Sequence, residues 1–305
     1  MIITKSGIAK HLFKFTEPSR LYIRVLLTRQ CNNSCVFCFR EGGLGNDGKL
    51  FGVEFFQEMA RVAEKHAIPK IHFTGGEPLL DNEVSDYVRQ VTARQTVEVG
   101  LTTNGILLHT QASRLYDAGL RRINVSLPSL RSERYHAICG QDMLQTVLSN
   151  IDIALDTGFW PVKINIPVYR ENVDEMQEFL EYFLPKDGVI LRFFSILSND
   201  GLPDSSSLTV EETTTYLDDA IDGLSENLQE EASKRVYFRP PFQPYSSICA
   251  ACTKRNSCQD QAKAIRISRD GNISLCLENP DYSTQVEHLR DIDQVVSHLM
   301  SLYYC

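Results

Sequence analysis

Strand-like and helix-like segments alternate six times between Leu21 and Phe194, and this alternation limits the fold more than any other feature of the chain. Leu21 to Leu27, Lys70 to Thr74, Val97 to Thr103, Arg121 to Leu127, Val162 to Val168 and Val189 to Phe194 read as strands. Val53 to Ala67, Asn82 to Ala93, Thr110 to Ala118, Met143 to Asp156 and Val173 to Phe183 read as the helices between them. Repeated strand–helix units predict an α/β fold with a parallel sheet and right-handed crossovers. Ligands then bind at the carboxyl ends of the strands.

From residue 198 the pattern changes. SNDGLPDSSS is a turn-rich linker, Leu208 to Leu228 reads as one helix with an acidic, solvated face, and RPPFQPY breaks regular structure. The expected division is a core over 18–200, a linker and helix over 201–240, and a cysteine-bearing unit over 241–305.

The first expected strand runs into Cys31-Asn-Asn-Ser-Cys35-Val-Phe-Cys38. Three thiolates on one short loop can hold three irons of a [4Fe–4S] cluster and leave the fourth open to a small molecule. A structural zinc site wants four ligands, and the local set stops at three with no His nearby. Disulfide frameworks suit short secreted chains, and 305 residues is not short. Nine cysteines fit a reducing cytoplasm and metal ligation. No apolar run reaches the length of a membrane span, and the amino-terminal residues lack the apolar stretch of a secretion signal. The formal net charge of -8 argues against nucleic acid as the main partner and mildly favours a cationic substrate.

One unit further on, a strand ends in Thr74-Gly75-Gly76-Glu77-Pro78, where glycines permit close backbone approach and a carboxylate can meet an ammonium group. With the three-cysteine loop, this order resembles the radical S-adenosylmethionine (SAM) enzymes. The resemblance implies a partial (β/α)6 TIM-like barrel and an electron-driven cleavage of SAM to a 5'-deoxyadenosyl radical. It implies Cys31, Cys35 and Cys38 as cluster ligands. It also implies Gly75, Gly76 and Glu77 beside the methionine amino group, and Phe37 near the adenine. An electron donor such as flavodoxin or ferredoxin follows from the same chemistry.

LTTNGILL (101–108), AGLRRINVSL (118–127), VKIN (162–165) and LRFF (191–194) resemble the GTP 3',8-cyclases of molybdenum-cofactor synthesis, in order and spacing. By motif match Thr102 and Ser126 would contact SAM, and Arg24 and Lys163 would match positions that hold GTP. The third basic position falls on His72, the cyclase Asp is Pro128, and the Gly-Gly ending is Tyr304-Cys305 here. These departures weigh against GTP cyclisation.

Cys249, Cys252, Cys258 and Cys276 form a second group, the last framing a strand pair that turns at Asp270-Gly271. A zinc ribbon is the plain alternative. The group resembles the "twitch" extension, which implies a second [4Fe–4S] cluster. With Cys252, Cys258 and Cys276 as its ligands, Cys249 is left as a hydrogen donor, although spacing alone also admits it as a fourth ligand. Cys139 is expected in a structural loop, and Cys305 at a mobile end. The chain as a whole resembles the aminoglycoside-tailoring epimerases of this family. That implies hydrogen abstraction at C5''' of neomycin C and hydrogen return from Cys249 to give neomycin B. An acidic cleft would attract such a polycation, with Glu171, Asp174 and Asp200 as candidates or plain surface. The glycine-rich segment 41–49 does not join a strand to a helix as a phosphate-binding loop must.

Overall fold

The computed structural model describes residues 3–4, 7–8, 21–38, 51–196, 206–239, 247–252, 262–276 and 279–304. Asp200, Cys258, Cys305 and the 41–49 segment lie outside the described residues. The elements run β1 (Tyr22–Leu26), α1 (Glu54–Lys65), β2 (Lys70–Thr74), α2 (Val84–Thr92), β3 (Glu98–Thr103) and α3 (Leu108–Asp117). Then follow β4 (Arg122–Ser126), α4 (Ser132–Cys139), α5 (Leu144–Thr157), β5 (Val162–Val168), α6 (Met176–Phe183) and β6 (Val189–Ser195). The remainder is α7 (Val210–Asp222), α8 (Glu226–Arg235), β7 (Val236–Arg239), α9 (Ser247–Ala251), β8 (Ala264–Ser268), β9 (Asn272–Ser274), β10 (Ser283–Gln285) and α10 (Ile292–Tyr304).

One sheet contains all ten of these strands, in the order β10-β9-β8-β1-β2-β3-β4-β5-β6-β7. Pairing is parallel from β8 through β7 and antiparallel for β9 and β10. The α/β class and the six strand-led units are as expected. The helices cover one sheet face because their apolar residues recur at helical spacing. In α1, Phe55, Phe56, Met59, Ala60, Val62 and Ala63 are all buried, and Phe56 stacks on Tyr87 of α2 at 4.1 Å.

The opposite face is polar and the sheet curls around it. Flat, β1 and β7 would stand six spacings apart, about 29 Å at ~4.8 Å each. Yet the positive charge of Arg239 on β7 acts on Tyr22 of β1, and Arg24 of β1 acts on Arg192 of β6. Charges that feel one another at that strand separation require a curved, barrel-like sheet.

Three local expectations are corrected. The single helix over Leu208 to Leu228 is two. α7 opens with a reciprocal cap between Thr209 and Glu212 and closes at Gly223, and Ser225 then starts α8. Cys139 ends a helix, α4, rather than lying in a loop; only Tyr135, Ile138 and Cys139 of that helix are buried, too sparse a stripe to read as periodic. Strand β7 was not anticipated, because four residues directly after a helix give no pattern of their own. The linker and carboxyl-terminal regions therefore both supply strands to the main sheet, β8 lying directly against β1.

Candidate active site

The cysteine loop leaves the carboxyl end of β1 and is held by its neighbours. Ser34 and Val36 donate backbone N–H bonds to the carbonyls of Cys139 and Ile138, both at 3.0 Å, and Gln141 Nε2 donates to Asn32 O and Asn33 Oδ1. Cys31 and Cys38 are exposed and Cys35 is half-buried. Cys31 Sγ accepts from Asn33 N at 3.4 Å and lies 4.0 Å from Asn104 Nδ2. Burial, reinforced by the nearby Glu77, Cys35 and Cys38, pushes the Cys31 thiol up against the opposing Asn33 N–H. Cys35 is raised far more, first by its hydrogen bond to Cys139 and then by burial. Among the described residues no three metal-binding side chains close around one point. Three sulfurs on one anchored loop, with N–H donors aimed at the first, nevertheless fit a cluster that neutralises mutually repelling thiolates. Held by Cys31, Cys35 and Cys38, such a cluster would supply one-electron reducing chemistry at this end of the barrel.

The glycine turn packs against this loop along the backbone. Leu27 N donates to Thr74 O at 2.8 Å, Gly76 N to Thr28 O at 2.7 Å, and Glu77 N to Gln30 O at 2.8 Å. A Cβ on Gly75 would come within 2.4 Å of Thr28 O, and one on Gly76 within 2.1 Å of Gln30 O. The glycines are thus required by the neighbouring chain itself. Gly76→Ala is expected to lower unfolding free energy by about 2 kcal/mol, an overpacking cost, in urea denaturation.

Glu77 follows the glycines and turns its side chain inward. Its side chain is fully buried and accepts from Leu79 N at 2.9 Å, Thr103 Oγ1 at 2.7 Å and Asn104 N at 2.7 Å. Burial outweighs these donors and raises its pKa to about 7. The carboxylate joins the turn after β2 to the turn after β3, which fixes Asn104 beside Cys31. Phe37 is half-buried against the core, and Ser126 ends β4 half-exposed. Thr102 Oγ1 lies 2.7 Å from His72 Nε2 and accepts from Asn124 Nδ2 at 3.2 Å.

Below this site the concave face is lined with cations. Register puts Arg24 between His72 and Arg266, Lys163 beside Asn124, Asn165 beside Arg192, and Phe194 beside Arg239. Burial and the charges of Lys70, Arg24, Arg192 and Lys163 hold His72 well below its ordinary value, so the ring is neutral near pH 7. Burial with Arg192, Lys70 and Arg122 lowers Lys163 to about 8. Burial, Arg239 and Arg24 lower Arg192 to about 10. For Tyr22, burial alone would raise the phenol, but Arg24, Arg266 and Arg239 reverse the direction. Sequence reasoning found Arg24 and Lys163 by motif and missed Lys70, Arg192, Arg239 and Arg266. Their signal was an isolated cationic residue on one face of an otherwise largely apolar strand, as with Arg192 in VILRFFS and Arg266 in AIRIS.

The second cysteine group is partly visible. β9 runs antiparallel to β8 with Ser274 opposite Arg266, so Cys276 returns to the amino-terminal end of the strands. Ligands were expected at the carboxyl ends of the strands, and Cys276 lies at the opposite end. The four steps of β8 alone put about 13 Å of lumen between the two ends. Cys249 is 7% exposed in α9, and Cys252 N donates to its carbonyl at 3.2 Å. Cys252 and Cys276 are half-buried.

The radical SAM superfamily signature matches residues 25–183. The chain is 31% identical over 280 residues to a probable GTP 3',8-cyclase of Methanosarcina mazei, covering 84% of this chain and 77% of that protein. It is 30% identical over 275 residues to the GTP 3',8-cyclase of Listeria welshimeri, covering 84% and 79%. The fold is similar to SuiB of Streptococcus suis bound to S-adenosylmethionine, with TM-score 0.66, 12% identity and coverage of 89% and 65%. It is also similar to anSMEcpe with bound AdoMet, with TM-score 0.65, 18% identity and coverage of 92% and 80%. The anchored three-cysteine loop, the glycine turn zipped to it and these matches agree: the chain belongs to the radical SAM superfamily, whose members bind SAM and a [4Fe–4S] cluster.

Proposed function

We propose that this radical SAM enzyme removes hydrogen from an anionic, phosphorylated substrate of the nucleotide class, held in the lumen between a cluster at Cys31, Cys35 and Cys38 and a second at Cys252, Cys258 and Cys276. The cation-lined lumen carries the reading. Arg24, Lys70, Lys163, Arg192, Arg239 and Arg266 depress or shift one another's neighbours there, and among the described residues Glu98, at the start of β3, is the carboxylate in register with Lys70. Phosphate oxygens would relieve that repulsion, whereas a polycationic aminoglycoside would add to it. The acidic cleft expected from net charge does not line the described lumen: Asp174 is engaged with Arg131 and Arg134, and Glu171 accepts from Ser206. Neither charge nor relatives support neomycin as substrate. The relatives' printed activity, GTP 3',8-cyclisation, lends support to a nucleotide, while His72 and Pro128 leave the product open to a different outcome.

Epimerisation keeps one supporting feature, a Cys249 thiol shielded from solvent, as a hydrogen donor would need to be. An external one-electron donor of the flavodoxin or ferredoxin class would serve either outcome. The test is anaerobic reconstitution, then SAM and reductant with nucleoside triphosphates, nucleotide sugars or aminoglycosides in turn. 5'-Deoxyadenosine release should rise with a phosphorylated member only, and a rise with neomycin C alone would defeat the proposal. In D₂O, one deuterium at an inverted carbon would identify the thiol-return outcome.

A further inference from the structure

The turn between β8 and β9 reaches the SAM end of the barrel from a part of the sequence remote from the motifs. Ser268 pairs with Leu26, so Arg269 and Asp270 project just beyond the end of β1. Asp270 Oδ2 accepts from Arg29 Nη2 at 2.6 Å, and Arg29 stands two residues before Cys31. Asp270 is braced in turn by Ser268 Oγ at its other oxygen and by Gln285 Nε2 at its carbonyl.

Arg269 points to the other wall. It is 5% exposed, and its Nη1 donates to Asp81 Oδ2 and Tyr87 Oη, both at 3.0 Å. Its Nη2 donates to Phe51 O at 3.3 Å, and its guanidinium lies 4.9 Å from the Tyr87 ring centre. Asp81 closes the short turn Pro78–Leu80 that begins at Glu77. Adjacent residues of one turn therefore grip the segment entering the cysteine loop and the segment leaving the glycine turn. Between them run the backbone bonds joining Thr28 to Gly76 and Gln30 to Glu77.

We infer that Arg269 and Asp270 are positioning residues for SAM: the ion pairs Asp270–Arg29 and Arg269–Asp81 set the spacing between the cluster loop and the glycine turn. Both contacts are charge-assisted, and Arg269–Asp81 is also buried whereas Arg29–Asp270 is half-buried, which gives them directional strength. Reaction geometry is sensitive to displacements on the order of 1 Å. The same strand carries Arg266 into the lumen, so the latch links the substrate-facing wall to the radical-generating end.

The experiment uses the full chain with its clusters reconstituted under argon, and SAM itself as probe. SAM is titrated calorimetrically without reductant and without substrate, so the result does not depend on the nucleotide proposal. Asp270→Asn and Arg269→Lys should each weaken SAM binding about tenfold, as loss of a charge-assisted hydrogen bond would. They should also diminish the change that SAM causes in the electron paramagnetic resonance of the reduced first cluster. Iron content should match the wild type, and in a separate substrate-free assay with reductant the rate of SAM cleavage at saturating SAM should fall much less than the KM for SAM rises. The charge swap Arg29→Asp with Asp270→Arg should recover most of the lost affinity. Asp152→Asn, which breaks an exposed ion pair with Lys186 on the helical side, serves as the control. Wild-type SAM affinity and spectrum in both single variants would overturn the inference. So would a double variant no better than Asp270→Asn, or loss of iron in place of SAM affinity, which would assign the turn to loop folding alone.

Discussion

Cys31→Ala is expected to abolish SAM cleavage, with 5'-deoxyadenosine falling to background by chromatography, and to remove about four irons per chain. The folded chain should survive this change. The loop is held by Ser34, Val36 and Gln141 through backbone and amide bonds that do not involve the Cys31 sulfur. Cys31 is also exposed, so its truncation leaves no core cavity. Cys35→Ala should lose the same iron with an added stability cost, because it strips one of the hydrogen-bond partners from buried Cys139. Full iron and full cleavage in Cys31→Ala would mean that the loop is not the cluster site.

Arg192→Met should weaken binding of the proposed phosphorylated substrate about thirtyfold, equivalent to ~2 kcal/mol for a charge-assisted hydrogen bond. Its side chain is half-buried, and its Nε has no hydrogen-bond partner among the described residues. The same substitution should move two other groups. Arg192 is among the charges that depress His72 and Lys163, so both pKa values should rise in the variant. The sign for the wild type follows from Lys163 at about 8. Anion binding needs the protonated amine, so affinity should fall as pH rises through that value, and in Arg192→Met the fall should begin at higher pH. Stability of the ligand-free protein runs the other way. The folded pKa lies below the ordinary lysine value, so the unfolded chain binds more protons between the two, and Lys163's contribution improves as pH rises across that window. Isothermal titration against pH checks the first statement and thermal melts check the second. A pH-independent affinity with unchanged binding in Arg192→Met would remove the lumen from the substrate site.

The alternating strands and helices were legible because a strand buried on both faces and a helix buried on one each stamp a local period on the chain. Lys70–Thr74 and Val162–Val168 were read with the bounds the structure gives them. The cysteine spacing was legible because its chemistry is local, with three sulfurs on one loop. The glycine turn was legible as a motif, but its cause was not: Gly76 is bounded by Gln30 O, 46 positions earlier in the chain.

What the sequence alone determined was therefore local: the parallel α/β class, the order of its units and the radical-SAM loop. The tertiary structure decided the charge of the cavity, since its cations stand one or two to a strand and become a cluster only when the sheet curls. It decided the direction of Glu77, which a strand-end motif shows as available and which folding turns inward onto Thr103 and Asn104. It also decided that residues 264–268 lie against β1 and place Arg269 and Asp270 at the SAM end. Local periodicity carries no information about which distant strand will be the neighbour. That choice is made by burial and backbone pairing over the whole sheet.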